Sequence, residues 1–253
     1  TKLFLNIMFL RLYIFVYMLI NNVSSLLPLE RVKTCARIID LSYNIEKKMN
    51  YINKLKIIRP KCDDISCATL GVNETDLFIS FRGTMTLNDW VINFDKKLVP
   101  LDIINYKDSM IHNGYINTYL SYKNELQKII LENKDKNICV SGHSAGGALA
   151  TLVCLDHQKI ISNLSLVTFG MPKIGNLDLC NYIRKTNIVR EHYVVEGDII
   201  PFFPLNFEYS KCKPIIVLQS SDKEERDTYT LNPKKLQEIH SMIQYRSWLP
   251  NSR

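Results

Sequence analysis

The glycine-rich segment Gly142–Gly147, which reads Gly-His-Ser-Ala-Gly-Gly, is the strongest constraint on how this chain folds. It follows a short apolar strand predicted at Asn137–Val140 and precedes an apolar helix predicted at Ala148–His157. A strand-to-helix turn this tight leaves no room for large side chains beside Ser144, hence the glycines on either side. The hydroxyl then stands at a helix N-terminus, where the N–H of Ala145 and the helix dipole can stabilise an oxyanion. The segment predicts a nucleophile elbow, with a helix-capping serine as the alternative.

Strands and helices alternate on both sides of this segment. Strands are predicted at 68–72, 76–81, 164–169 and 188–195, helices at 29–55, 115–132, 176–184 and 232–248, and a hairpin at 207–218. Alternation over this length favours an α/β domain with a parallel or mixed central sheet and helices on both faces. The 253 residues are 46% apolar and 23% charged, which is ordinary for a globular protein with a sizeable core.

A serine nucleophile needs a histidine base and a carboxylate that orients the base. In an α/β-hydrolase the acid follows the serine, and the histidine follows the acid. Of the five histidines, only His240 fits this order, because the others precede Ser144, follow it too closely, or lie inside a predicted strand. Asp198 follows the strand ending at Val195, at the sheet edge where such folds place their sites, and Glu196 is the reserve acid.

Several further segments occur in the order found in the class 3, fungal-type triacylglycerol lipases, and the chain resembles that family. The matching segments are Phe81–Thr84, Asn88–Trp90, His112–Tyr115, Gly142–Gly147, Thr168–Asn176 and Val194–Pro204, followed by His240. They run from about Phe81 to Tyr245, which is most of the predicted mature chain. Several matches in order are far more specific than any one of them.

The resemblance implies an α/β-hydrolase with a mostly parallel sheet that hydrolyses carboxylic esters of lipids through an acyl-enzyme. It implies Ser144 as nucleophile, Asp198 as acid and His240 as base. It also implies that Thr84 is the second oxyanion donor, beside Ala145, and that no cofactor takes part.

Two positions depart from the family pattern. Lys173 stands where the family usually has Arg, and Ile239 precedes His240 where Asp is common. The second departure motivates the alternative of a catalytically inactive, lipase-like binding protein. A phospholipase A1 or galactolipase with the same triad is another alternative, because the triad does not select the head group.

An amphipathic helix is predicted at Leu87–Phe94. Its apolar residues fall at i, i+3, i+4 and i+7, and they are Leu87, Trp90, Val91 and Phe94. In the family this region is the lid, whose apolar face is exposed at an oil–water interface. The resemblance therefore implies that these four residues contact a lipid substrate. Without the resemblance, the apolar face that they form would be interpreted as packing against the protein core.

Residues 1–25 are predicted to be a secretory signal peptide, which leaves 26–253 as the lipase-like domain. The segment contains Lys2 and Arg11 but no acid, and its apolar run Leu12–Ile20 is only nine residues long, short for a membrane span. Cleavage is expected after Ser25. The alternative is an uncleaved signal anchor that tethers the protein to a membrane.

Cysteine content and charge limit the remaining possibilities. Seven cysteines fit an exported protein, although their pairing and the oligomeric state stay open. Cys139 and Cys154 lie in apolar runs and are predicted as core thiols, whereas Cys62 and Cys67 could close a small loop. The net charge of +7 is a mild surplus that favours contact with anionic lipid or simple solubility over nucleic-acid binding, which usually needs a clustered basic face. Neither a CxxC pair nor an HExxH motif occurs, so no metal site is predicted.

Overall fold

The computed structural model describes residues 27–43, 51–52, 55–58, 68–84, 97–212, 215–219 and 233–250. The predicted signal peptide, the four predicted lid residues, and Cys62 and Cys67 lie outside these ranges. The strands are β1 (Tyr51–Ile52), β2 (Leu55–Ile58), β3 (Ala68–Val72), β4 (Asp76–Phe81), β5 (Leu98–Pro100), β6 (Met110–His112), β7 (Asn137–His143), β8 (Leu164–Phe169), β9 (Val189–Val195) and β10 (Ile216–Leu218). The helices are α1 (Leu29–Tyr43), α2 (Asn113–Glu132), α3 (Ala145–His157), α4 (Leu177–Lys185), α5 (Pro233–Ile239) and α6 (Met242–Trp248).

The central sheet has the strand order β1-β2-β3-β4-β7-β8-β9-β10. Strands β1 to β4 pair antiparallel, whereas β4, β7, β8, β9 and β10 pair parallel. Strands β5 and β6 form a separate two-stranded antiparallel sheet. The fold is therefore the α/β-hydrolase that the resemblance implied, with a mostly parallel sheet.

Helices cover both faces of this sheet, and strand β7 shows why. Side chains on a strand alternate between faces, so Ile138 and Val140 join one core cluster together with residues of α3. Cys139, between them, joins a second cluster with residues of α1 and α6. A strand buried on both faces needs the near-continuous apolar sequence that predicted it.

Three predicted strands, 68–72, 76–81 and 164–169, have the bounds of β3, β4 and β8. Two predicted helices, 115–132 and 176–184, correspond to α2 and α4 with shifts of one or two residues at their ends. Asn176 caps α4, because its side chain accepts a hydrogen bond from the Leu179 N–H at 3.0 Å.

Three other predicted elements were wrong. The helix expected at 29–55 is observed as α1 (Leu29–Tyr43), whereas Tyr51–Ile52, inside the expected range, forms β1 and pairs with β2, so sheet pairing overrides the helix-like spacing there. In place of the hairpin expected at 207–218, the described residues of that range contain one strand, β10, parallel to β9. The single helix expected at 232–248 is broken into α5 and α6.

Cys180 and Cys212 form a disulfide that joins α4 to the segment before β10. Cys139 and Cys154 are buried free thiols, as predicted, and so is Cys35. Within the described ranges, no helix combines the length and the apolar composition needed to span a membrane.

Candidate active site

Ser144 lies at the turn between β7 and α3, the position that the sequence predicted. Its backbone has a φ of 54° and a ψ of −130°, a strained conformation for a residue with a side chain. A Cβ on Gly142 would lie 2.1 Å from the carbonyl oxygen of Gly146, and a Cβ on Gly146 would lie 2.5 Å from that of Phe81. Only glycine fits at either position, which confirms the predicted tight turn.

The structure places Asp198, and not the reserve acid Glu196, against His240. The Nδ1 of His240 lies 2.7 Å from Oδ2 of Asp198. A carboxylate accepts hydrogen bonds, so Nδ1 carries the proton in this contact. The N–H of Ile200, the first residue of a 3₁₀ turn, donates a hydrogen bond to the other oxygen, Oδ1, at 3.0 Å. Asp198 is therefore fixed by both of its oxygens, and its side chain is fully buried.

Tyr245 is a further partner of Asp198. Its hydroxyl donates a hydrogen bond to Oδ2 at 2.6 Å. Burial, and next the charge of Asp198, raise the pKa of Tyr245 well above its ordinary value, so the phenol remains a donor. Oδ2 thus accepts hydrogen bonds from a phenol and an imidazole together.

Ser144 and His240 line the same cavity, which has a volume of about 280 Å³. Among the described residues, Nε2 of His240 is buried and has no hydrogen-bond partner. With Nδ1 held by Asp198, this second nitrogen is the one left to accept a proton.

Thr84, the predicted oxyanion donor, lines the same cavity, and Ala145 is the first residue of α3. A helix does not use its first N–H groups internally, so the Ala145 N–H can bind an anion.

Tyr43 connects the predicted oxyanion segment to the elbow. Its hydroxyl accepts a hydrogen bond from the Gly83 N–H at 2.8 Å and lies 2.7 Å from Nδ1 of His143. Burial lowers the pKa of His143 well below its ordinary value, with the nearby His240 as a second cause. The neutral imidazole can therefore accept the Tyr43 proton. These contacts hold Gly83, which abuts Ser144, beside the elbow.

The histidines that the sequence order excluded have structural contacts. His112 caps α2 by accepting the Gly114 N–H at 3.0 Å, and Nδ1 of His192 lies 2.8 Å from the Thr168 hydroxyl. His157 contacts the carbonyl oxygen of Val153 at 2.9 Å through Nδ1. In the part of the chain that the structure describes, no group of three or more His, Cys, Asp or Glu side chains could hold a metal ion.

The family model described as "Lipase (class 3)" matches residues 78–208, about half of the chain. The chain belongs to the class 3 lipase family.

Several curated proteins are similar to part of the chain. A lipase of Rhizomucor miehei is 33% identical over 143 residues, 53% of this chain and 39% of that protein. "Phospholipase A1-II 1" of Oryza sativa subsp. indica is 30% identical over 131 residues, 41% and 33% of the two chains. "Secreted mono- and diacylglycerol lipase 1" of Fusarium solani is 25% identical over 145 residues, 55% and 43% of the chains. The matches span less than half the length of these curated relatives.

The fold agrees with solved lipase structures. Lipase II from Rhizopus niveus superposes with a TM-score of 0.67 at 18% identity and covers 89% of this chain and 95% of that one. At this identity the likeness supports the α/β-hydrolase fold alone.

Sequence reasoning did not find Tyr43 or Tyr245. Tyr245 hydrogen-bonds to the predicted acid Asp198, and Tyr43 contacts Gly83 and His143, the residues that precede Thr84 and Ser144. A tyrosine on an apolar helix face is typical of a core residue, and its hydroxyl partner is unknown until the fold is. Ile239, one of the two departures from the class 3 lipase pattern, packs in the core cluster formed with α1 and α6.

Proposed function

We propose that this chain is a secreted serine hydrolase that cleaves carboxylic esters of lipids, in the manner of a triacylglycerol lipase. The observation that carries the proposal is the Asp198–His240 hydrogen bond beside the elbow serine, in one cavity. Membership of the class 3 lipase family supports it, and so do the lipases among the relatives.

In the proposed mechanism, Ser144 attacks the ester carbonyl while Nε2 of His240 takes the hydroxyl proton. Asp198 holds the imidazole in the required tautomer and stabilises the imidazolium that forms. Thr84 and the Ala145 N–H bind the tetrahedral oxyanion. His240 then protonates the departing alcohol, and a water molecule repeats the sequence on the acyl-enzyme to release the fatty acid.

The test is the variant Ser144→Ala in the purified full chain. We expect kcat to fall by roughly four to six orders of magnitude with the fold intact, because the attacking oxygen is removed. A fluorophosphonate probe should label wild-type protein at Ser144 and leave the variant unlabelled. Ser109→Ala, which removes another buried serine hydroxyl, serves as the control and should be labelled like wild type. Unchanged ester hydrolysis by Ser144→Ala, or absence of labelling in wild type, would contradict the proposal.

A phospholipase A1 is the second candidate, favoured by the Oryza sativa relative of that name. The proposed triad acts on the ester carbonyl in either case, so the head group has to be tested directly. Hydrolysis of a triglyceride, a phospholipid and a short soluble ester should be compared side by side. Faster turnover of the phospholipid than of the triglyceride would replace the first candidate by the second.

We also infer that the enzyme acts at a lipid interface, with Leu87, Trp90, Val91 and Phe94 as a lid. The amphipathic spacing of these residues and the family pattern support this inference. Rates measured across the aggregation point of the ester should rise abruptly as aggregates form. A smooth saturation curve through that point would count against a lid.

Secretion is supported by the basic and apolar pattern of residues 1–25 and by the Fusarium solani relative named as secreted. Protein collected from the medium of a eukaryotic host should begin at Leu26. Recovery in the membrane fraction with residues 1–25 attached would favour the signal-anchor alternative.

A further inference from the structure

Lys211 is a partly buried lysine that the proposed mechanism does not use. It follows Ser210, whose N–H donates to the carbonyl oxygen of Gly175 at 2.8 Å, and it precedes the disulfide-bonded Cys212. The backbone around Lys211 is therefore held on both sides. Its Nζ donates a hydrogen bond to the carbonyl oxygen of Met171 at 2.7 Å and lies 6.0 Å from the centre of the Phe202 ring.

The carbonyl that Lys211 binds belongs to the turn against which His240 packs. Gly170, the preceding residue, has a φ of +59°. A Cβ on Gly170 would lie 2.8 Å from Cε1 of His240 and 2.9 Å from the hydroxyl oxygen of Tyr245. A shift of this turn would therefore displace the imidazole or the phenol, and both hydrogen-bond to Asp198.

The charge of Lys211 also acts on Asp198. Burial lowers the pKa of Lys211 to about 7; attraction to Asp198 opposes this shift, and repulsion from Lys173 adds to it. The same charge helps to lower the pKa of His192, for which burial is the larger cause. A cation close to a buried carboxylate stabilises its ionised form, which the orienting acid of a triad requires.

We propose that Lys211 is a positioning residue for the Asp198–His240 pair. Its hydrogen bond to Met171 fixes the Gly170 turn that supports the imidazole, and its charge stabilises the carboxylate that orients the imidazole. Lys211 does not touch the reacting atoms. This inference rests on the proposed esterase function.

The test compares three variants in the full chain: Lys211→Met removes charge and donor, Lys211→Gln keeps a donor without charge, and Lys211→Arg keeps both. We expect Lys211→Met to lower kcat roughly tenfold with little change in KM, because a misplaced base slows chemistry more than binding. Loss of a positive charge near the Asp198–His240 pair should also move the acid limb of the kcat/KM profile to higher pH. Lys211→Gln should show the same shift, and Lys211→Arg should restore the wild-type profile.

Lys159→Met is the matched control, because it removes one exposed lysine charge in the turn that follows α3, whose length of about 20 Å separates this turn from Ser144. It should leave kcat and the pH profile unchanged. A structural role alone would lower the melting temperature of Lys211→Met and Lys211→Gln without moving the acid limb. A folded Lys211→Met protein with the wild-type acid limb would overturn the proposal.

A second measurement separates this inference from the proposed function. The imidazole Nδ1 proton that bridges His240 and Asp198 should give a low-field proton NMR signal without any substrate. We expect that signal to shift or broaden in Lys211→Met and to remain in Lys159→Met. If wild-type protein hydrolyses no ester and resists the fluorophosphonate probe, the proposed function fails, and this signal still decides the role of Lys211. An identical signal in Lys211→Met and wild type would refute the positioning role.

Discussion

At the scale of single residues, the candidate site depends on two tyrosine hydroxyls, one bonded to the main chain before Thr84 and one to the Asp198 carboxylate. Tyr43 binds the segment before Thr84, and Tyr245 binds Asp198. Both phenols have a raised pKa, chiefly because they are buried, so they keep their protons and can donate. A buried donor or acceptor that loses its partner costs about 1–3 kcal/mol, which makes such contacts sensitive to single substitutions.

Tyr43→Phe tests this dependence. The change leaves the ring in place but removes the acceptor of the Gly83 N–H and the donor to His143. We expect kcat to fall roughly tenfold or more, because Thr84 follows the released glycine, with a loss of about 1–2 kcal/mol in the free energy of unfolding. Steady-state kinetics and urea unfolding measure the two effects.

Tyr182→Phe is the matched control for that experiment. It removes a phenol that accepts a hydrogen bond from Gln158 at 3.0 Å, away from the cavity. Its kcat should equal that of wild type. Equal kcat values for wild type and Tyr43→Phe would show that the hydroxyl does not support the oxyanion segment.

At the scale of secondary-structure elements, the break between α5 and α6 sets the position of His240. The Ser241 side chain accepts the Gln244 N–H at 3.2 Å, so Ser241, which follows His240, is the N-cap of α6. The same hydroxyl donates to the Glu238 carbonyl oxygen at 2.7 Å at the end of α5. One side chain therefore ends one helix and starts the next, and the histidine lies at the joint.

Ser241→Ala should destabilise this joint. Loss of an N-cap costs about 1 kcal/mol of stability, and a displaced His240 should lower kcat as well. Ser241→Asn keeps a capping side chain and should recover most of both losses. Ser121→Ala, which removes an exposed hydroxyl bonded to the Thr118 carbonyl oxygen within α2, is the control. Urea unfolding and ester hydrolysis should be measured for wild type and the three variants. Equal stability and equal kcat in Ser241→Ala and wild type would exclude a role for the cap.

At the scale of the whole molecule, the central sheet contains two buried, neutral histidines, His143 in β7 and His192 in β9. Burial lowers the pKa of His192 to about 3, with the charges of Lys211 and Arg190 as smaller causes. Between pH 6.5 and about 3 the unfolded chain binds a proton at this position and the folded chain does not. The unfolded state holds more protons in that window, so stability falls as the pH falls through it. His143 acts in the same direction.

The free energy of unfolding should therefore decrease on acidification below pH 6.5, by up to about 1.4 kcal/mol per pH unit for each histidine involved. His192→Asn keeps a partner for the Thr168 hydroxyl but cannot titrate. The slope of its unfolding free energy against pH should therefore be smaller, by as much as the contribution of one bound proton. Urea unfolding at several pH values between 4 and 7.5 measures both slopes. Parallel slopes for the variant and wild type would rule out His192 as a source of acid sensitivity.

The bounds of β3, β4 and β8 were predictable because short apolar or alternating runs between turn residues favour a strand whatever surrounds them. The helix expected at 29–55 failed toward its end, because Tyr51–Ile52 pairs with β2, which in turn pairs with β3. Helix-like spacing is a local signal, and pairing with distant strands overrides it. The break at Ser241 was missed for a related reason. The Ser241 hydroxyl donates one hydrogen bond to the end of α5 and accepts another from α6. Both bonds depend on the turn at this residue, so the sequence alone does not predict them.

By itself, the sequence determined the α/β class, the elbow at Ser144 and the candidate order of serine, acid and histidine, because these depend on local sterics and chain order. Tertiary structure alone decided that Asp198 rather than Glu196 faces His240, that Cys180 pairs with Cys212, and that Tyr43, Tyr245 and Lys211 support the site. Each of these contacts joins positions 30 or more residues apart. Periodicity and spacing report only near neighbours, whereas hydrogen bonds and charges act through space across the folded sheet.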